Sequence, residues 1–428
     1  MKKLVISAGL LLLVVVWWFA AAPREEIRCC VAESVVFDPA TVQQTDAVDR
    51  SGEFTDGLEV LPSDLPAYDD AVFIEGGAKA LVTAHDGQIW MVDVAAKTAE
   101  PFVDAPLMAW GIKIREAPGE PTQAYFCSGG SYGDRPPGES VGLYRLDIAS
   151  RSVEPLVLKV PYTKIDRQRP VVYADNDPNA PELKADGTGS PSRELIVCDN
   201  LEISEDGRRI YFSEPFAYAN ASVDDAIDEA IALAPNGRLW RYDLDTGSTR
   251  LIAEGFHFIN GVLYDPHPGL ARERSVLVTQ TSLFRVTRFY VNGPKAGSSE
   301  AVIDALPGTP DGMDRDADGR IWLAMFAERS PILTWAHENA WIKPLLMRLP
   351  TELLLSQTGR TGVVVLSPDG SKPLYSAFYK GPALSSIASA VPERDKAYLA
   401  NVALNSPDRN RKRGIQRMKW PPELPRSQ

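Results

Sequence analysis

Oxygen-bearing side chains recur where apolar strands begin. Asp69 stands in Ala67-Tyr-Asp-Asp-Ala-Val-Phe73, Asp199 and Asn200 in Val197-Cys-Asp-Asn-Leu-Glu-Ile203, Asn260 in Phe258-Ile-Asn-Gly-Val262, and Asp311 in Pro310-Asp-Gly-Met313. Each alone could be a turn former. Together they point to a shared site, and carboxylates and amides without sulfur suit a hard divalent cation such as calcium. His257, just ahead of Asn260, could shuttle a proton at the mouth of such a site or fill a structural aromatic-type position. Glu202 and Asp265 read as surface residues. The chain has no Gly-x-Ser-x-Gly, no metal-spaced Cys or His cluster and no phosphate-binding glycine loop.

A second acidic stretch, Asp314-x-Asp316-x-Asp318-Gly319, looks like the opening of an EF-hand. Such a loop needs a bidentate carboxylate at its twelfth position and a helix on each side. Met325 occupies that position, and the flanks read as loop and strand. The alternative is a hairpin turn, and the turn recurs: Asp86-Gly-Gln-Ile-Trp90, Asn236-Gly-Arg-Leu-Trp240, Asp318-Gly-Arg-Ile-Trp322, and looser copies at Asp206-Gly207 and Asp369-Gly370. Asp-Gly and Asn-Gly favour tight hairpins in which both central residues take positive φ. Later strands end in Leu143-Tyr-Arg-Leu-Asp147 and Leu239-Trp-Arg-Tyr-Asp243.

Such repeats predict an all-β, six-bladed β-propeller, with blades near 67–103, 109–158, 195–252, 256–303, 312–366 and 374–404. The strand-start residues would then converge on a central channel. Val223–Leu233 and Ile332–Leu355 have helical composition, and Pro161–Pro191 is a polar, proline-rich excursion. These insertions are expected on one face, with Trp335 and Trp341 forming an apolar lid that favours a hydrophobic small-molecule substrate.

With 57 acidic and 45 basic residues, the net charge of −12 offers no phosphate-neutralising surplus and argues against nucleic acid as a partner. Lys2-Lys3 precedes an uncharged apolar run, Leu4–Ala22, of roughly 28 Å as a helix. We read residues 1–23 as an uncleaved N-terminal transmembrane anchor or a signal segment. The anchor reading leaves the bulk of the chain on the exported, in a bacterium periplasmic, side. Residues 24–56 read as a linker with one strand at most, 57–406 as the propeller and 407–428 as a basic tail. Of the four cysteines, Cys127 and Cys198 could pair or remain buried thiols.

Asn236-Gly-Arg-Leu-Trp-Arg-Tyr-Asp243, Gly255-Phe-His-Phe-Ile-Asn-Gly-Val262, Arg288-Phe-Tyr-Val-Asn-Gly-Pro-Lys-Ala-Gly297 and Leu306-Pro-Gly-Thr-Pro-Asp-Gly312 resemble the strictosidine synthase-like proteins, the group that includes adipocyte plasma membrane-associated proteins. Pro310–Ala324 is also similar to the SMP-30/gluconolactonase enzymes. The resemblance implies a calcium or similar ion in the channel, with ligands at Asp311 and Asn260. Asp69 stands where the family has a glutamate, and Asp199-Asn200 where it has Asn-Asp, so metal ligation falls on Asp69, Asp199, Asn260 and Asp311, and substrate contact on Asn200. It further implies lactonase or arylesterase chemistry, with Asp311 helping to activate water; His257 is a second catalytic candidate from its position before Asn260 alone. The glutamates of the condensing strictosidine synthases align with Ser389 and Pro392, with Glu393 one position out of register. That departure speaks against alkaloid synthesis, and a non-catalytic, metal-stabilised scaffold is the other alternative.

Overall fold

The computed structural model describes residues 34–426 apart from 62, 117–118, 131–135, 165–168, 217–222, 266–273, 348, 350–358 and 403–409. Six antiparallel sheets, each with four blade strands, form the propeller, as the repeats predict. Their inner strands are Tyr68–Ile74, Met108–Arg115, Leu201–Ile203, Ile259–Asp265, Gly308–Arg315 and Ile387–Glu393. Middle strands such as Ser275–Gln280 and Thr361–Leu366 are buried along their whole length, because each blade is covered on both sides by its neighbours.

Ring closure corrects the sequence reading at both ends. Ile415–Lys419, inside the expected basic tail, is the third strand of the sixth blade, and Leu58–Leu61 supplies the fourth. The two termini thereby lock the ring. Residues Leu374–Tyr379 belong to the outer strand of the fifth blade rather than opening the sixth. Where a linker is expected, two short helices form, α1 (Ala40–Ala47) and α2 (Ser51–Gly57), and both pack on that outer strand. Among the described residues no helix is long and apolar enough to cross a membrane. The expected anchor lies outside them.

The EF-hand look dissolves into turn chemistry. Asp316 Oδ1 accepts from the amides of Asp318 and Arg320, while Oδ2 accepts from Arg320 Nε at 2.8 Å and from the Trp322 indole at 2.9 Å. Asp314 instead pairs with Lys113 at 3.1 Å. Glycine alone takes positive φ in these turns (Gly87, Gly207, Gly319, Gly370), so they are not hairpins with two left-handed residues. Asn236-Gly237 is not a hairpin turn at all but the start of a strand after a helical insertion. The aspartates closing the third strands, Asp93, Asp147 and Asp243, each accept the amide three residues on, which caps the following turn.

The insertions lie between second and third strands of the third and fifth blades. In an up-and-down blade that connection sits on the face where the inner strand begins. There α3 (Val223–Ala232) packs on α4 (Pro331–Glu338), on α5 (Lys343–Leu346) and on the turn Thr281–Leu283, forming a cap at the channel mouth. The proline-rich excursion runs along the outer edge of the third blade, where Val171–Val172 and Glu182–Leu183 pair with Thr249–Phe256. Its buried Asp175 meets Arg241 at 2.7 Å.

Five inner strands share one irregularity. Two residues face one on the neighbouring strand at Asp69-Asp70, Trp110-Gly111, Asn260-Gly261, Asp311-Gly312 and Ala388-Ser389. Asp199-Asn200 occupies the equivalent place just ahead of the third inner strand. The residues opposite include Thr83, Ser213 and Thr279, whose hydroxyls accept the amides of Asp70, Asn200 and Gly261. Cys127 holds that place in the second blade and is disulfide-bonded to Cys198, the residue before Asp199. The second bulge residue touches the next blade. Asp70 Oδ2 accepts from Ile112 N at 3.1 Å, and Asn200 Oδ1 from Val262 N at 3.3 Å. A Cβ on Gly261 would lie 2.3 Å from Asp311 O, and one on Gly312 would lie 2.7 Å from Ala388 O. Neither glycine has positive φ, so packing between blades rather than turn geometry excludes a side chain. Gly261→Ala is expected to destabilise the propeller by about 1–3 kcal/mol through overpacking. Gly52→Ala, inside α2 with nothing within 4 Å, should raise the urea midpoint slightly or leave it unchanged rather than lower it.

Candidate functional site

The bulges turn the first residue of each pair toward the axis, which gives the order Asp69, Trp110, Asp199, Asn260, Asp311, Ala388 around the ring. The structure thus brings together all four expected oxygen ligands. Each is half-buried, with protein on all sides and water reaching it from the channel. Burial is the main cause that lifts the three carboxyl pKa values: Asp199 to about 7, Asp69 and Asp311 well above the usual carboxylate range. Mutual repulsion adds to this, since Asp69 feels Asp311 and Asp199, and Asp311 feels Asp199. The Asn260 amide donates to Asp311 and partly offsets the shift.

Among the described residues, no side-chain cation is one of the groups that shift these three carboxyls. Lys113 serves a deeper layer, where Asp314, Asp70 and Glu202 face it and raise its pKa against burial. Glu202, read as a surface residue from sequence, is buried there with its pKa pushed up to about 7. Asp265 is buried too, accepting from Ser275 Oγ at 2.8 Å and pairing with Arg288 at 3.0 Å. The upper ring is therefore a set of oxygen donors whose ionised form has no side-chain partner among the described residues, which fits a hard divalent cation. Among the described residues no three acidic, histidine or cysteine side chains are close enough to chelate an ion by themselves. Asp69, Asp199, Asn260 and Asp311 would hold it, together with water or backbone oxygen.

Asn200, expected to touch substrate, sits between blades with its Oδ1 committed to Val262 N. His257 lies in the cap rather than in the ring. Its Nδ1 finds no hydrogen-bond partner among the described residues, the nearby backbone of Leu233 and Ala234 favours the protonated ring, and its charged neighbours are Arg285 and Lys343. Burial and those cations lower its pKa to about 4. His337 on α4 is lowered to about 3 by burial and Lys343, and Lys343 itself to about 8 by burial.

Sequence reasoning missed Trp110, which occupies the ring position of the second blade and meets His85 edge-on at 5.6 Å. Its signal was available: Ala109-Trp-Gly-Ile112 matches Ile259-Asn-Gly-Val262 in spacing, with tryptophan in the ligand's place.

An acidic ring on the axis of a six-bladed propeller defines the class of site. Residues 200–344 match the model of the SMP-30/Gluconolactonase/LRE-like region, which bears out the resemblance read from the motifs. Adipocyte plasma membrane-associated protein of Salmo salar is 31% identical over 179 residues, covering 40% of this chain and 41% of that protein. Strictosidine synthase-like protein 13 of Arabidopsis thaliana is 36% identical over 166 residues, 38% of this chain and 39% of the relative. The chain thus spans about two fifths of the length of these relatives. A gluconolactonase from Xanthomonas campestris superposes with a TM-score of 0.51 at 15% identity, covering 92% of this chain and 100% of the other, so it shares the fold. The family match includes Asn260 and Asp311 but not Asp69 or Asp199, whose places in the ring rest on the bulge geometry.

His257 and His337 make the cap acid-sensitive. Both imidazoles stay neutral in the folded cap to well below the ~6.5 of an unfolded histidine, so the cap is stable above that pH and loses stability as pH falls from ~6.5 toward 4. At pH 5 each contributes a loss of about 2 kcal/mol. Amide exchange in α3 and α4 should accelerate between pH 7 and pH 5, after correction for intrinsic rates. Unchanged protection would contradict the assignment.

Proposed function

We propose that the protein is a metal-dependent hydrolase of an ester or lactone of a hydrophobic small molecule. The observation that carries this reading is the trio of axial carboxyls with no side-chain counter-cation among the described residues, set beneath a cap containing apolar and basic groups. A calcium or similar divalent ion, when bound, would polarise the substrate carbonyl and acidify water.

The chain's own residues do the rest. Asn260 fixes the Asp311 carboxylate through the amide it donates. Asp311, the ring carboxylate matching the Pro-Asp-Gly motif, accepts a proton from the attacking water. Trp110 supplies an apolar wall, and Ala388 leaves space between Asp311 and Asp69. His257, buried in the cap with its pKa lowered to about 4, is too weak a base to take the water's proton, so the proposal gives it no catalytic step.

The related strictosidine synthase-like alternative gains no support from the sixth blade. Ala388-Ser389 occupies its bulge, and Glu393 lies at the opposite end of the inner strand. An exported, membrane-anchored location is part of the proposal. The apolar run near the N-terminus supports it, as does the Cys127–Cys198 disulfide, a bond favoured by oxidising compartments.

The test is a screen of aryl esters and lactones of increasing chain length against the full chain, with and without chelator. Chelation should abolish turnover, and Asp311→Asn should lower kcat/KM by at least ~100-fold while the fold is retained. Turnover indifferent to both would overturn the mechanism. Absence of turnover with every substrate would favour a metal-stabilised scaffold.

A further inference from the structure

Of the seven large apolar side chains exposed among the described residues, five belong to the cap and the segment laid against it: Val36, Ile332, Trp335, Trp341 and Leu345. Trp341 is 67% exposed and Trp335 45%, and the two rings meet edge-on at 6.0 Å. The segment beside them is pinned rather than loose. Val35 N donates to His337 O at 2.9 Å, Ala340 N donates to Ser34 Oγ at 3.2 Å, and Phe37 packs on Phe284 at 5.3 Å.

We propose that this patch lies in the headgroup region of a lipid bilayer, so that the channel mouth faces the membrane. The occupant is argued from the chain itself. Lys2-Lys3 and the apolar run Leu4–Ala22 precede the patch, and segment 23–33 extends at most ~40 Å before the chain enters the fold at Ser34. A tether that joins the cap face holds that face toward the bilayer. Tryptophan, isoleucine and leucine exposed on short helices are side chains that partition into the interface, with indole rings favoured at headgroup depth. An exposed apolar cluster on an otherwise soluble fold marks an interaction surface.

The orientation rests on the anchor reading of residues 4–22. Its consequence for substrate rests on the hydrolase reading: an ester or lactone dissolved in the bilayer could enter past Trp335 and Trp341 and reach the ring without crossing bulk water.

The test involves no turnover, so its failure is distinguishable from failure of the hydrolase reading. The full chain, labelled with 5-fluorotryptophan, is reconstituted in phosphatidylcholine–phosphatidylglycerol vesicles. Trp335→Phe and Trp341→Phe assign their resonances, with Trp335→Tyr or Trp341→Tyr as substitutes if either fails to fold. Trp420 reports on the opposite face, where it packs on Trp322 at 5.0 Å. Lipid-borne paramagnetic chelate should broaden Trp335 and Trp341 severalfold and leave Trp420 sharp, while a water-soluble relaxation agent should spare the two cap residues. Broadening of the cap residues by the soluble agent would place them in water. Indifference to both agents would place them under protein, as in a second copy of the chain. Either result overturns the proposal.

Discussion

Close contact between neighbouring bulges at the axis is the constraint on which the architecture depends. Each inner strand must surrender its register at the same height, so that one residue of a pair turns into the channel and the other meets the next blade. The second residue is glycine where backbone meets backbone, at Gly111, Gly261 and Gly312, and a hydrogen-bonding side chain where there is room, at Asp70 and Asn200. The same contacts that close the ring therefore aim Asp69, Asp199, Asn260 and Asp311. Stability and site geometry share one device, and the Cys127–Cys198 bond reinforces it between the second and third blades.

Charge is layered along the axis above and below that device. Lys113 neutralises the deep carboxylates, and Arg285 and Lys343 stand in the cap beside histidines kept neutral by burial. The three ring carboxyls between these layers are raised by burial, and Asp69 and Asp311 also by their acidic neighbours, an arrangement costly to retain unless positive charge joins it. This imbalance is the ground on which the ring is proposed as the site, whereas Asp175 with Arg241 and Asp316 with Arg320 are compensated pairs.

Much of this was legible in the sequence, for identifiable reasons. Asp-Gly turns and β-branched runs recur with each blade, so the blade count and helical insertions could be read, and four ring residues stood out as polar groups at strand starts. Closure was not legible, because Leu58–Leu61 and Ile415–Lys419 are short segments whose partners lie at opposite ends of the chain. The packing role of the glycines after Asn260 and Asp311 was not legible, since local sequence does not reveal that the neighbouring blade excludes a Cβ. Glu202 and Asp265 read as surface for a similar reason: Lys113 meets Glu202 from the neighbouring blade, and Ser275 and Arg288 meet Asp265 from other strands of its own blade. Trp110 went unnoticed because a search for oxygen ligands passes over a tryptophan in the same register.

The most direct measurement of the central claim is terbium luminescence on the chelator-treated full chain, with tryptophan excitation and calcium as competitor. The account predicts one saturable, calcium-displaceable emitting site that Asp311→Asn abolishes. A chain with no saturable emission, or with emission that persists unchanged in Asp311→Asn, would contradict it.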